Sequence, residues 1–253
     1  MSRLEIDDIP GPAGLAPLVL LHEGLGSVRL WKDFPARLAR ATGRRVVSYS
    51  RYGYGASPPV TLPRPVRYMH DEADRVLPAV LDHMGIEAPV LIGHSDGASI
   101  ALLYAGAGHP VSGIVAMAPH AFVEDCTIEG ALTARAAYRD GQLRDRRARY
   151  HDDVDNAFYG LNDVWLDPAF RDWSIEDRLP KVEAPLLLLQ CRDDPYGTLD
   201  QLDRIEAGVS GPVERLVMDG GGHDPHTAAP DAVTAAIAAF FLLSTGISPV
   251  TRA

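Results

Sequence analysis

Short runs of consecutive apolar residues alternate along the chain with longer segments that mix apolar and polar positions. Such short runs are typical of strands that are buried on both faces of a sheet. They predict strands at residues 18–21, 46–49, 90–92, 114–117, 186–189 and 213–218. Because the intervening segments are long enough for crossover helices, the pattern predicts an α/β fold with a mostly parallel sheet flanked by helices.

The segments between the strands carry apolar residues at helical spacing. Trp31, Phe34, Leu38 and Ala41 recur every three or four positions, which places them on one face of a helix. By the same spacing we predict helices at about residues 31–41, 71–84, 95–107, 199–207 and 231–243. Each of these helices would cover part of one face of the sheet.

Residues 120–180 differ from the rest of the chain, because strand-like runs disappear and Ala, Arg and Asp become frequent. Connections in compact domains usually have about 4–6 residues, and much longer ones are often functional. We therefore predict a helical cap insertion at residues 120–180 and a core formed by residues 1–119 and 181–253. Trp165 and Trp173 are expected to pack inside the insertion. A basic run is expected to form a solvated helix face: Arg144, Arg146, Arg147 and Arg149.

Composition narrows the possible functions. The chain has 34 Asp and Glu against 24 Lys and Arg, a formal net charge of −10, which disfavours binding to nucleic acid. Cys126 and Cys191 are too few for a disulfide framework. Residues 1–10 lack the apolar stretch of a signal peptide, and no apolar run reaches the roughly 20 residues that span a bilayer. We expect a cytoplasmic protein whose partner is a small molecule, with no nucleic acid and no membrane.

Residues 93–97 read Gly-His-Ser-Asp-Gly and match the pattern G-x-S-x-G. The match lies where a predicted strand ends and a predicted helix begins, which is the strand-turn-helix context of a nucleophile elbow. In such a tight turn, side chains two residues either side of the serine would collide with neighbouring backbone. This context makes Ser95 the candidate nucleophile and directs the backbone N–H of Asp96, at the start of the helix, towards a developing oxyanion.

A serine nucleophile needs a base to accept its proton and an acid to orient that base. Asp193 and Asp194 follow the strand predicted at residues 186–189, so either could be the acid. His223 and His226 follow the last predicted strand. His223 comes directly after three glycines, which favours it as the base, whereas His226 is as compatible with a surface position as with any other.

These motifs resemble the α/β-hydrolase superfamily, in its serine-nucleophile branch with a helical cap. The similarity covers nearly the whole chain. It includes the strand, histidine and tryptophan of residues 18–31, the glycine loop of residues 51–57, and the acid and histidine loops at residues 186–195 and 221–226. The resemblance implies an α/β-hydrolase fold, Asp194 as the acid and His223 as the base. It also implies an oxyanion hole formed by the backbone N–H groups of Gly24 and Asp96, with no metal and no cofactor.

One position departs from the family pattern. Glu23 follows His22 where the family usually has glycine, so a carboxylate lies beside the expected oxyanion hole. A bare anion there would oppose the developing negative charge, so a structural role is favoured over contact with the substrate.

The function that the resemblance implies is that of a serine hydrolase, a carboxylesterase-like enzyme that cleaves a small-molecule carboxylic ester through an acyl-enzyme on Ser95. A C–C bond hydrolase of the meta-cleavage-product type is an alternative. A non-catalytic ligand receptor on the same fold is another, although such a receptor would usually lack one member of the triad.

Overall fold

Seven strands form one sheet in the computed structural model, which describes residues 4–244 and the side chains of residues 4–241. The strands are β1 (Ile6–Ile9), β2 (Leu18–Leu21), β3 (Val46–Tyr49), β4 (Val90–His94), β5 (Gly113–Met117), β6 (Leu186–Cys191) and β7 (Val213–Met218). Their spatial order is β1-β3-β2-β4-β5-β6-β7. All neighbouring pairs formed among the six strands β2, β3, β4, β5, β6 and β7 are parallel. The mostly parallel sheet predicted from the sequence is therefore confirmed.

Alternate residues of the central strands enter two separate hydrophobic clusters, one on each face of the sheet. In β2, Val19 and Leu21 join one cluster, and Leu18 and Leu20 join the other. The continuous apolar runs in the sequence therefore have a physical reason, because both faces of the sheet are covered and neither can expose polar side chains to water.

The strand β1 was not predicted, because its sequence Ile-Asp-Asp-Ile contains no apolar run. It pairs antiparallel with β3 at the edge of the sheet, and its register places Ile6 opposite Tyr49 and Ile9 opposite Val46. Backbone hydrogen bonds form such a pair whatever the side chains are, so an edge strand gives little signal in the hydrophobic pattern.

The helices lie where the spacing placed them, with local differences. Their bounds are α1 (Phe34–Thr42), α2 (Tyr68–Asp71), α3 (Leu77–Met84), α4 (Asp96–Gly106), α5 (Asp125–Arg139), α6 (Gln142–Arg147), α7 (Val154–Trp165), α8 (Asp200–Gly208), α9 (Pro225–Ala228) and α10 (Pro230–Ser244). Short 3₁₀ helices cover Val28–Trp31, Pro168–Phe170 and Leu179–Lys181. The helix predicted at residues 71–84 begins at Tyr68 and contains a π-helical turn at Glu72–Val76 between α2 and α3.

The segment between β5 and β6 contains α5, α6 and α7 and is helical, as its composition indicated. Trp165 and Trp173 are both buried there, with 5% and 8% of their surfaces exposed. The indole N–H of Trp165 donates to the hydroxyl of Tyr68 at 3.0 Å, which joins this segment to α2. Parts of the predicted core, residues 1–3 and 245–253, lie outside the described residues. Within the described part of the chain, the structure contains no helix with the length and apolar character needed to cross a bilayer.

Candidate active site

The turn between β4 and α4 holds Ser95 in a conformation that few non-glycine residues adopt, with φ 52° and ψ −119°. A β-carbon on Gly97 would overlap the carbonyl of Leu21 at the end of β2, and one on Gly93 would overlap the backbone of Ala98. The steric reason that the sequence suggested for both glycines is therefore confirmed. The strained turn leaves Ser95 between the end of a central strand and the first residue of a helix.

Asp194 and His223 meet at this edge of the sheet although they come from the loops after β6 and β7. Both carboxylate oxygens of Asp194 lie 2.9 Å from Nδ1 of His223. The backbone N–H of Tyr196 donates to the same carboxylate at 2.9 Å. Burial by itself would raise the pKa of Asp194, but the hydrogen bond and charge of His223 outweigh it, and the pKa is lowered. An ionised Asp194 fixes the proton of His223 on Nδ1 and leaves its other ring nitrogen free.

Asp193, the other candidate acid, has different partners. Its carboxylate accepts hydrogen bonds from the backbone N–H groups of Gly221 and Gly222, at 3.3 Å and 2.9 Å. Asp193 therefore holds the glycine loop that precedes His223, whereas the hydrogen bonds to the imidazole ring come from Asp194.

Ser95, Asp96, Gly24 and His223 line one cavity of about 180 Å³. Much of the remaining wall comes from the helical segment between β5 and β6, including Leu161 on α7. The structure thus brings the predicted nucleophile, base and oxyanion-hole residues to one cavity, with Asp194 behind the base.

Glu23 also lines this cavity, but its carboxylate is engaged by the protein. One oxygen lies 3.6 Å from Nδ1 of His94, and the other lies 3.8 Å from the guanidinium of Arg147. Burial would raise the pKa of Glu23, but the attraction of His94 and Arg147 dominates and lowers it well below the ordinary value. For His94, burial is likewise outweighed by Glu23, and the pKa is raised.

Arg147 corrects one interpretation of the sequence. The basic run was expected to be a solvated face, yet Arg147 is turned towards Glu23 and lines the cavity. Arg144 of the same helix pairs with Asp155 in a largely exposed position, as a solvated face would. No local pattern distinguishes the two arginines, because only the packing of α6 against the loop after β2 decides which of them meets the buried carboxylate.

His226 is buried, with 6% of its surface exposed. Its ring packs against Trp31, Phe34 and His94, at centroid distances of 5.0, 5.1 and 4.9 Å. Burial and the neighbouring His94 lower its pKa to about 3. The sequence left the position of His226 open, and the structure places its ring in the core beneath the histidine loop.

Arg51 is a functional candidate that the sequence pattern did not single out. It is almost completely buried, donates to the backbone carbonyl of Glu23 at 2.9 Å, and lies 3.5 Å from the carboxylate of Asp96. Its backbone N–H donates to Nε2 of His22 at 3.0 Å. Arg51 therefore connects the loop that carries Gly24 with the start of α4, next to Ser95.

The described residues offer one group of potential metal ligands, Glu23, His94 and Asp224, whose donor atoms lie within 4.8 Å of one another. The guanidinium of Arg147 already neutralises Glu23 from 3.8 Å. Because that charge would repel a divalent cation, we assign no metal to this group.

Residues 18–236 match the sequence model of the alpha/beta hydrolase family. A proline iminopeptidase of Lactobacillus helveticus (strain DPC 4571) is 24% identical over 234 residues, covering 75% of this chain and 79% of that protein. The enol-lactonase from Burkholderia xenovorans LB400 is similar in structure, with a TM-score of 0.73 at 16% identity over 94% of this chain and 96% of that chain. An esterase from Exiguobacterium antarcticum has a TM-score of 0.73 at 18% identity over 94% of each chain. At these identities the similar structures show a shared fold.

Proposed function

Because the chain belongs to the alpha/beta hydrolase family, we propose that it is a serine hydrolase that cleaves a carboxylic ester of a small molecule. The observation that carries this proposal is the pair Asp194–His223, joined at 2.9 Å behind a cavity that Ser95 also lines. Similarity to proteins named esterase and enol-lactonase supports an ester or lactone as the substrate.

The proposed reaction is acyl transfer to water. The free ring nitrogen of His223 takes the proton of Ser95, and Ser95 Oγ attacks the carbonyl carbon of the ester. The backbone N–H groups of Gly24 and Asp96 hold the oxyanion of the tetrahedral intermediate. His223 then protonates the departing alcohol, and it later deprotonates the water that releases the acid. Asp194 orients His223 and stabilises its positive charge.

In the proposed hydrolase, the core and the helical insertion have different roles. Residues 1–119 and 181–253 act as the hydrolase core, and residues 120–180 act as a cap that forms the outer wall of the cavity. The reaction as proposed uses no metal and no cofactor, and the cytoplasm is its proposed location.

The test is turnover of p-nitrophenyl acetate together with labelling by a fluorophosphonate. We expect hydrolysis by the wild type and a covalent adduct on Ser95, located by mass spectrometry. Ser95→Ala should lose both the turnover and the adduct, because no other group replaces the nucleophile. Ser112→Ala is the matched control, since Ser112 is exposed at the opposite end of the sheet and its hydroxyl donates to Ala88.

Both variants should unfold thermally close to the wild type. Retention of most turnover and labelling by Ser95→Ala would show that another group is the nucleophile. A wild type that hydrolyses no ester and takes no label would overturn the proposed function itself.

A further inference from the structure

His120 follows β5 and lines the same cavity as Ser95 and His223. Its backbone is held on both sides by one hydroxyl of α4. Ser99 Oγ donates to the carbonyl of His120 at 2.7 Å and accepts from its N–H at 3.0 Å. These bonds anchor the backbone of His120 to α4, and replacing the imidazole ring leaves both of them intact.

The ring of His120 is buried but not fully used by the protein. Only 3% of the residue is exposed, and its Nδ1 has no hydrogen-bond partner. Among the residues that the structure describes, His120 alone both lines the cavity and keeps a buried polar side-chain atom without a partner. Buried polar atoms are nearly always paired, so a residue of the cavity wall whose ring keeps a nitrogen unpaired has hydrogen-bonding capacity to offer an incoming ligand.

Two other polar residues of the cavity wall lack this property. The hydroxyl of Thr127 donates to the carbonyl of Tyr196 at 2.5 Å. The amide of Asn162 accepts from Arg135 at 2.6 Å and donates to the carbonyl of Ala131 at 2.8 Å. Their hydrogen-bonding capacity serves the fold, whereas that of His120 remains available.

The charge state of His120 limits what it can recognise. Burial, together with the positive charge that His223 can carry, lowers the pKa of His120 to about 4. Asp194, Asp96 and Glu124 act in the opposite direction without reversing the shift. At neutral pH the ring is therefore an uncharged imidazole with one donor and one acceptor nitrogen. Its centroid is 6.1 Å from that of His223, close enough for one small substrate to contact both.

We propose that His120 is a specificity-determining residue that hydrogen-bonds an uncharged oxygen substituent of the substrate, a hydroxyl or a carbonyl, close to the ester bond. This inference rests on the proposed hydrolase function and adds the substrate class to it. Four charged side chains line the cavity: Glu23, Asp96, Arg147 and Asp224. Glu23 and Arg147 face each other, and Asp96 pairs with Arg51. Because the remaining carboxylate, that of Asp224, would repel an anion, an uncharged oxygen substituent fits better than a charged one. A substrate without the substituent would leave the imidazole unpaired and would be selected against.

The experiment compares hydroxylated and plain esters of the same chain length. The plain references are ethyl butanoate and propyl butanoate. The hydroxylated probes are both enantiomers of ethyl 3-hydroxybutanoate, with the hydroxyl on the acyl side, and 3-hydroxypropyl butanoate, with the hydroxyl on the alcohol side. For each pair the readout is the ratio of kcat/KM, which cancels any general loss of activity or folded protein.

We expect the wild type to favour at least one hydroxylated probe, and His120→Leu to lower that ratio roughly tenfold, the loss of one hydrogen bond. His120→Gln, which keeps a donor and an acceptor, should retain part of the preference. Thr127→Val is the matched control and should leave the ratio within about twofold, because its hydroxyl already serves Tyr196.

Two results would overturn the inference. One is a wild type without preference for any hydroxylated probe, and the other is a preference that survives in His120→Leu. Neither result contradicts the proposed hydrolase function if the plain esters are hydrolysed and Ser95 takes the fluorophosphonate label. Loss of both of these would instead reject the hydrolase proposal.

Discussion

Asp193 and Asp194 are neighbours in the chain, but their carboxylates have different partners. Asp194 faces the imidazole of His223 and accepts from the N–H of Tyr196, and Asp193 accepts from the N–H groups of the glycine loop. Successive residues in an extended or turning segment point in different directions, so a shift of one position changes the partner completely. The two residues therefore provide a matched pair for assigning the acid.

Asp194→Asn should lower kcat by roughly 10⁴-fold, the size of the effect of the same change in a serine protease. The reason is that an amide facing Nδ1 of His223 favours the wrong tautomer of the base. Asp193→Asn should lower kcat less than about tenfold, because the amide oxygen can still accept from Gly222. Steady-state kinetics with p-nitrophenyl acetate measures both. The reverse ranking would move the acid by one residue.

At the scale of elements, the site depends on how closely β4, α4 and β2 approach one another. In the sheet, Leu21 of β2 lies opposite Gly93 of β4, so the carbonyl of Leu21 reaches the first turn of α4 at Gly97. Ser95 lies in this tight turn with a positive φ. Only glycine fits at the points of contact, which is why a short sequence pattern specifies a three-dimensional turn.

Gly97→Ala should lower the free energy of unfolding by about 1–3 kcal/mol or more, because the new β-carbon overlaps the carbonyl of Leu21 and the backbone must shift. Gly113→Ala on β5 is the control. A β-carbon there would meet its nearest atoms at 3.6 Å, which is ordinary contact, so we expect a change within about 1 kcal/mol. Urea unfolding gives both values. Equal stability of the two variants would mean that the elbow tolerates a side chain.

At the scale of the whole molecule, the helical segment between β5 and β6 is tied to loops of the sheet by buried polar groups. His151, which follows α6, accepts from the N–H of Gly55 at 3.0 Å through Nδ1. Its Nε2–H donates to the carbonyl of Leu25 at 3.0 Å. Burial lowers the pKa of His151, so the neutral ring that makes both bonds is the form present in the folded protein.

His151→Gln should therefore change stability in a pH-dependent way. Because the folded pKa of His151 is below the ordinary value of 6.5, its contribution is fully present above pH 6.5 and is lost as the pH falls through the folded pKa. We expect the variant to be less stable than the wild type by about 1–3 kcal/mol at pH 8 and by less at pH 5. Urea unfolding at the two pH values measures the difference. His83→Gln, at an exposed position of α3, is the control for replacing a histidine by glutamine and should change the stability by less than about 0.5 kcal/mol at pH 8. A constant difference for His151→Gln would contradict the prediction.

The sequence by itself determined the central parallel strands, the helices around them and the turn at Ser95. Each of these has a local cause. The strands at residues 18–21 and 186–189 are buried on both faces and must be continuously apolar, and the elbow needs glycine at positions 93 and 97. The pair Asp194 and His223 came from the resemblance to a family, whose loops meet at one edge of the sheet.

Only the tertiary structure decided the features that depend on contacts between distant segments. Strand β1 pairs with β3 through backbone bonds and has only two apolar residues, Ile6 and Ile9, so its sequence carries little signal. The packing of separate elements decides which arginine of α6 meets Glu23. It also decides that His226 is buried beside Trp31. The unpaired nitrogen of His120 is likewise invisible in the sequence. A residue type states which hydrogen bonds a side chain can make, and only its surroundings decide which of them the fold has already made.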